Sequence, residues 1–536
     1  MSEHRSSLVT AVLLALILAG AWGLRYAYLA HAERTPGFAW IDPDGYTRQA
    51  RALIGQDGRW GWSWAGVHYR WNNRTWVLPP GYPVFLSWFA RDAASFPGNA
   101  GHVQTVLGAL VCGLLFWLGA RIHTARAGLV AAAIGAVWLP SVSMGEFFFQ
   151  EQLYLPLLVL AFALVVEAWV RESNGPLFGV AGAAFGLAAL TRAMALYFVP
   201  VGAVALVLGA PARGTGWRRA AWFAGTFTIV VLPYVVWLSA AHGQVILVDN
   251  HGSIEMRGYA NAGVLKAPGV LETVRLLANE AAGEPVRFAS EKANLVRGLF
   301  QLQGGRWLQY YGDSSSARAA EAWKWIAHAG IDLPFALVSI VAPLGLALAR
   351  RPRQAVLLGL WVPELLLLSS VAGYAGARYR APMEPHLIVL AAVVLAGQWR
   401  PAGKASILLG LCGSLVIAAL VLPQVPRSLA AHAQYGITPW DGTAPGASTV
   451  ARGACGINVL ARSGAVALSV TLVDGDGTRR LPVLVWLDGR RAANLTIGGE
   501  PRALTLACGG PMCHVEFQPL VPEGQTEPAY RITAFP

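Results

Sequence analysis

The chain has 536 residues, of which 55% are hydrophobic and 13% charged, and its mean hydropathy is +0.47. Soluble domains carry about 25% charged residues, so a single water-soluble globule is excluded. The formal charge of +12 reflects 41 basic and 29 acidic residues; the basic ones fall in small clusters between apolar runs, which is the loop bias of membrane proteins and excludes a nucleic-acid footprint.

The chain starts with Met1 to Arg5, followed by an apolar run over about 8–29. That run exceeds the roughly 7–15 residues of a signal-peptide core, so it reads as an uncleaved anchor. The next segment, 30–100, is too polar to span. It opens with Asp42-Pro43-Asp44-Gly45-Tyr46. Charge this close to a bilayer is costly and tends to be kept for substrate or ion chemistry. A short interfacial helix is predicted over about 46–53, with Asp42 as its cap and Pro43 in its first turn. Trp60, Trp62, Trp64, Trp71 and Trp76 follow. They read as an aromatic belt or as a sugar or lipid platform. Leu78-Pro79-Pro80-Gly81-Tyr82-Pro83 then makes a rigid turn into apolar residues.

About eleven spans are predicted, over 8–29, 101–120, 127–142, 152–170, 177–190, 193–209, 220–240, 332–349, 355–371, 383–397 and 405–422. Alternate loops carry His4-Arg5, Arg121 to Arg126, Arg171, Arg213 with Arg218-Arg219, Arg350 to Arg353, and Arg400 with Lys404. These loops are therefore cytoplasmic, and so is the N-terminus. The outer side receives 30–100, the turn 143–151, the long loop 241–331, the loop 372–382 and the tail. Leu295, Leu299 and Phe300 recur at helical spacing in the long loop, which is expected to lie on the membrane and cover a site. His251 and Glu255 begin that loop.

The tail changes character. Short alternating runs, 466–473 and 481–487, are separated by Asp474-Gly475-Asp476-Gly477 and Asp488-Gly489. They predict a small β-sandwich. The expected division is a transmembrane domain over 1–425 and an extracytoplasmic β-domain over 426–536. The chain has five cysteines; Cys455, Cys508 and Cys513 lie in the tail, where an oxidising compartment favours a disulfide over zinc for Cys508 and Cys513. No phosphate-loop motif is present, which argues against an ATP-driven pump.

Asp42, Tyr46, Ala50 and Arg51, followed by Pro79-Pro80-Gly81-Tyr82-Pro83, resemble the first outer loop of GT-C superfamily glycosyltransferases, in the protein mannosyltransferase-like and lipid A aminoarabinose transferase-like branch. The turn Ser143-Met144-Gly145-Glu146 to Glu151 is similar to that family's outer turn, in which a Glu precedes a long helix. Gly186 to Arg192 is similar to its paired short helices joined at an Arg. Arg378-Tyr379-Arg380-Ala381-Pro382-Met383-Glu384-Pro385 is similar to its late Arg-rich loop. The resemblance covers about 8–400 and leaves out the tail.

It implies a polytopic, GT-C-like helical protein of the bacterial inner membrane with a periplasmic C-terminal domain. It also implies inverting transfer of a sugar from a polyprenyl-phosphate carrier to a hydroxyl of a glycan, lipid or protein. Asp42 stands where the family's acceptor-activating Asp stands. Asp44 or Glu151 would orient the acceptor, and Asp42 with Asp44 could hold Mg²⁺ or Mn²⁺ if one is used. Arg378, Arg380 and Arg192 would bind the donor phosphate, since a guanidinium meets phosphate bidentately; snorkelling to the interface is the alternative. With arginines on the leaving group no cofactor is required. Tyr46, Tyr82, Glu146, His251 and Tyr379 complete the expected substrate contacts. The alternative functions are a transporter or flippase of lipid-linked glycans, and an oligosaccharide ligase or oligosaccharyltransferase.

Overall fold

The structure is a computed structural model. It describes residues 2–34, 40, 42, 45–54, 68–71, 74–92, 95–173, 175–243, 245–249, 275, 278–279, 281–300, 302, 326, 328–372, 377–399, 403–425, 435–437, 448–460, 465–472, 480–487, 490–507, 512–519 and 529–534. The chain forms two compact units, one of residues 1–300 with 335–420 and one of residues 301–334 with 421–536.

The first unit is helical. Its elements are α1 (Ser2–Arg34), α2 (Tyr46–Ala52), α3 (Gly81–Ser87), α4 (Gly98–Ile122), α5 (Ala125–Ala136), α6 (Leu139–Ser143), α7 (Glu151–Val170), α8 (Pro176–Thr191), α9 (Met194–Leu208), α10 (Arg213–His242), α11 (Pro285–Leu299), α12 (Leu333–Leu348), α13 (Pro352–Ala372), α14 (Ala377–Arg380), α15 (Glu384–Ala396) and α16 (Lys404–Val421). A helix occupies each of the eleven segments read as spans. Among the described residues, six helices are long and apolar enough to cross a membrane: Ser7–Arg34, Gly98–Ile122, Glu151–Val170, Arg213–Ala241, His328–Leu348 and Lys404–Gln424. Four further apolar helices, Ala125–Ala136, Pro176–Thr191, Met194–Leu208 and Glu384–Ala396, are shorter. Helix length therefore supports a multi-pass membrane protein without establishing eleven crossings. Apolar side chains such as Leu16, Ile229, Val236, Leu409 and Leu415 stand mostly exposed, as expected where lipid replaces water.

Small residues bring the helices close. A Cβ on Gly182 of α8 would sit 2.0 Å from the Phe223 carbonyl oxygen of α10. Any side chain there would push the two helices apart, so the close approach rests on glycine. Buried Arg25 of α1 donates through Nη1 to the Ala136 carbonyl (3.1 Å) and through Nη2 to the Gly135 carbonyl (3.0 Å) and Ser141 Oγ (3.0 Å). It thereby satisfies carbonyls that the C-terminus of α5 leaves open.

The basic loops gather at one end of this unit. Glu167, near the C-terminus of α7, accepts from Arg121 (2.6 Å), Arg171 (2.5 Å) and the Trp117 indole (2.9 Å). His123 Nε2 lies 2.8 Å from the Gly397 carbonyl, and the Arg351 backbone N–H donates to the Ile122 carbonyl at 3.0 Å. The segments that the charge pattern assigned to one side therefore meet.

Three outer segments hold more structure than the word loop implies. The tryptophan-rich stretch contains an antiparallel hairpin, β1 (His68–Trp71) with β2 (Arg74–Val77). Trp71 and Trp76 fall on its strands; Trp60, Trp62 and Trp64 lie outside the described residues. The expected loop 372–382 contains α14 and turns at once into α15. Of the expected long loop 241–331, α11 is helical and packs against α13 and α14, burying Leu299 with Phe300.

The second unit holds β3 (Tyr435–Ile437), β4 (Ser448–Leu460), β5 (Ala465–Leu472), β6 (Leu481–Leu487), β7 (Arg490–Ile497), β8 (Arg502–Ala507), β9 (Met512–Pro519) and β10 (Ala529–Ala534). Their order is β7-β6-β9-β4-β10-β5-β8, with β3 on β4. In a flat sheet β5 and β7 would stand about 24 Å apart. Yet the Leu472 N–H at the end of β5 donates to the carbonyl of Gly498, just past β7, at 2.8 Å. The sheet must therefore fold over on itself. Its inner face is an apolar core that includes Leu468, Val470, Val483, Val485, Phe517, Tyr530 and Ile532. Cys455 is in register with Phe517, and Cys513 with Val459. Cys508 lies outside the described residues, as do the side chains of Cys455 and Cys513, and with them the expected disulfide of Cys508 and Cys513.

Candidate active site

Asp42 is half-buried ahead of α2. Its Oδ1 accepts the Tyr46 backbone N–H at 2.8 Å; its Oδ2 accepts the Thr47 N–H at 2.9 Å and the Thr47 hydroxyl at 2.6 Å. The carboxylate thus caps α2 from four residues upstream. Pro43, expected in the first turn, lies outside the described residues; the helix itself begins at Tyr46, after Gly45. Gly45 takes φ 70, a left-handed conformation open to glycine at little cost. Nor does α2 lie alone at an interface. It packs on α3, with Tyr46 and Ala50 buried in a core with Leu78, Tyr82, Phe85 and Phe148.

Tyr46 and Tyr82 meet edge to face, with ring centroids 5.0 Å apart. The Tyr82 hydroxyl donates to the Gln104 side-chain oxygen of α4. Gly81 explains the Pro-Pro-Gly turn: a Cβ there would lie 2.6 Å from the Thr191 hydroxyl and 3.0 Å from the Leu190 carbonyl oxygen. Glycine lets α3 rest directly on the end of α8, beside Arg192.

Arg192 sits between α8 and α9, and its guanidinium pairs with Glu151 at the N-terminus of α7. Both side chains are buried, 5% and 0% exposed. The guanidinium also lies 5.9 Å from the Tyr154 ring centre and 5.5 Å from that of Tyr379. The arrangement joins three sequence motifs: the outer turn, the helix junction and the late basic segment. Such a pair persists in apolar surroundings only when well hydrogen-bonded.

A second buried pair lies nearby on the same segment as Tyr379. Arg380 Nε donates to Glu384 Oε1 at 3.1 Å, with the two side chains 1% and 7% exposed. The Arg380 guanidinium covers the Phe335 ring at 3.8 Å. The Trp138 indole donates to Glu384 Oε2 at 2.6 Å. Glu151 and Glu384 line one cleft with roughly 570 Å³ of empty space, together with Arg25, Trp138, Gln152 and Leu155. Asp44 and His251 lie outside the described residues. So do the side chains of Glu146, at the end of a 3₁₀ turn (Met144–Glu146), and of Arg378, on α14.

Sequence reading gave no role to Trp138, Gln104 or Glu384. The four-residue spacing of Arg380 and Glu384 was the available signal for a pair on one helical face. Trp138 and Gln104 sit inside apolar runs and gave none. Among the described residues no group of His, Cys, Asp and Glu is arranged to hold a metal ion.

Residues 79–237 match the model of the dolichyl-phosphate-mannose-protein mannosyltransferase family. No curated protein matches the chain. Solved structures match at low identity. One is the oligosaccharyltransferase of Archaeoglobus fulgidus tethered to an acceptor peptide, at 14% identity and TM-score 0.43, covering 80% of this chain and 55% of that one. Another is the archaeal oligosaccharyltransferase AglB with an inhibitory peptide and a dolichol-phosphate, at 13% and 0.44, covering 80% and 56%. A third is ArnT from Cupriavidus metallidurans bound to undecaprenyl phosphate, at 14% and 0.40, covering 80% and 74%. The chain thus spans little more than half the length of the archaeal oligosaccharyltransferases it matches. The matched segment 79–237, under a third of the chain, takes in Tyr82, Glu151 and Arg192.

Proposed function

We propose that this protein is an inverting glycosyltransferase that moves a sugar from a polyprenyl-phosphate carrier to a hydroxyl of a glycan, lipid or protein. It would work at the periplasmic face of a bacterial inner membrane. The observation that carries this reading is the buried Arg192–Glu151 pair inside the matched segment, faced by Tyr379 from the late basic motif.

In this mechanism Asp42, held by the amides of Tyr46 and Thr47, takes the proton of the acceptor hydroxyl. The acceptor oxygen attacks the anomeric carbon from the face opposite the phosphate. The bond from that carbon to the phosphate oxygen breaks, and its electron pair stays on the phosphate. Arg192, Arg380 and Arg378 stabilise that charge. A guanidinium has five N–H donors, so pairing with a glutamate leaves Arg192 and Arg380 able to meet a phosphate as well. Glu151 fixes the direction of Arg192, and Asp44 orients the acceptor. The arginines supply the positive charge that a metal would otherwise bring.

Membranes carrying the protein, supplied with polyprenyl-phosphate-linked sugar, test this reading. Loss of transfer in Asp42→Asn supports the base assignment; normal transfer in that variant overturns it. Loss of activity in EDTA with recovery in Mn²⁺ would overturn the metal-free mechanism.

A further inference from the structure

Glu364 lies in α13 between Pro363 and the apolar run Leu365 to Leu368. It is 9% exposed, and both of its carboxyl oxygens are shielded from solvent without a hydrogen-bond partner among the described residues. Tyr154 lies on α7, one helical turn further in than Glu151. It is fully buried, and its hydroxyl also has no hydrogen-bond partner among the described residues. Helices α13 and α7 pack on each other, and Tyr154 is within electrostatic reach of Glu364, Glu151 and Arg192.

Two such groups are costly to keep unsatisfied inside a helical bundle. The layer beneath them is closed by aromatic rings. Trp361, one turn before Glu364, meets Phe162 with centroids 5.9 Å apart, and its indole donates to the Pro382 carbonyl at 2.9 Å. The Trp361 indole, in the same turn, is thus satisfied while the carboxyl is not. An unused carboxyl within electrostatic reach of an unused phenol, on helices that pack together, therefore points to a ligand rather than to the fold. The ligand's chemistry follows from the neighbours. The arginines already offer a phosphate the better place, because they meet it with opposite charge. Two acceptor oxygens and a hydroxyl that both donates and accepts match the hydroxyl groups of a neutral sugar.

The geometry points to Glu364 and the Tyr154 hydroxyl as the pair that hydrogen-bonds the hydroxyl groups of the donor sugar, one helical turn inward from the arginine–glutamate pairs. This rests on the donor reading proposed above. It makes the two residues determinants of which carrier lipid is accepted, separate from the arginines that hold the carrier's phosphate.

The test compares affinities of the purified full-length protein for bare undecaprenyl phosphate and for undecaprenyl phosphate linked to mannose, glucose or arabinose. The wild type should bind at least one sugar-bearing lipid more tightly than the bare carrier. Glu364→Leu and, independently, Tyr154→Phe should each weaken that complex about tenfold, the scale of one lost buried hydrogen bond. Neither should change affinity for the bare carrier. Glu364→Leu should melt no lower than the wild type, because it removes an unsatisfied group. The inference is overturned if the sugar-bearing complex is unaffected in both variants. It is equally overturned if the variants weaken the bare carrier as much, or if the wild type gains nothing from any of the sugars. Failure of the wild type to bind even the bare carrier would instead overturn the donor reading itself.

Discussion

At the basic end of the helical unit Glu167 holds Arg121 and Arg171, whose side chains are 40% and 65% exposed. At the other end of α7, about 24 Å away for sixteen residues of helix, the Arg192 side chain is 5% exposed and pairs with Glu151; Arg380 is 1% exposed and pairs with Glu384. The residue types are the same and the environments are opposite. Exposed pairs of this kind contribute about 0–1 kcal/mol, because water already solvates both partners. Buried ones are sustained only by mutual geometry, and they leave a large uncompensated charge when one partner is lost. The basic end needs no ligand to be understood. The other end invites one, because aromatic rings and a cleft surround charges that the fold alone has little reason to bury.

The comparison can be broken from several directions. The largest effect is expected from Asp42→Asn. Asparagine still caps a helix, so α2 should persist, while transfer falls about 10²- to 10⁴-fold if the carboxylate is the base. Circular dichroism beside a transfer assay separates the two. Next comes Arg192→Met, which strands Glu151 and should cost about 3–5 kcal/mol of stability in detergent, read from thermal unfolding. The double variant with Glu151→Leu should regain most of that loss, and failure to do so would mean that the pair is not the unit. Trp138→Phe removes the donor to Glu384 Oε2 and should cost about 1–3 kcal/mol. Smallest of all, Arg171→Ala should stay within about 1 kcal/mol, since Glu167 keeps Arg121 and Trp117. Equal losses in Arg171→Ala and Arg192→Met would erase the contrast between the ends.

Much of this contrast was legible in the sequence. The loop charges grouped Arg121, Arg171 and Arg351 on one side, and those segments do meet. The order of motifs marked Asp42, Glu151, Arg192 and Arg380 before any contact was known. What stayed hidden was partner choice. Hydropathy sees Arg25 and Glu364 as blemishes in apolar runs. It cannot tell that the first caps α5 while the second is buried without a hydrogen-bond partner among the described residues. The Arg192–Glu151 pair joins residues 41 apart in sequence, a distance over which no periodicity speaks. The hairpin β1–β2 was masked by tryptophans that fit an interfacial belt as readily as a strand.

The long strand β4 has a consequence for how the protein is made. Its residues 448–452 pair with β10 and its residues 455–460 with β9. It emerges from the ribosome well before either neighbour. Its ladder must wait until residue 529 and beyond have been delivered, a long-range pairing of the kind that makes β topologies slow to form. Until then a thirteen-residue strand is without most of its hydrogen-bonding neighbours, an edge on which misassembly can begin. Truncation even a few residues into β10 should therefore show itself as aggregation or degradation of the whole tail, rather than as a local loss at its end.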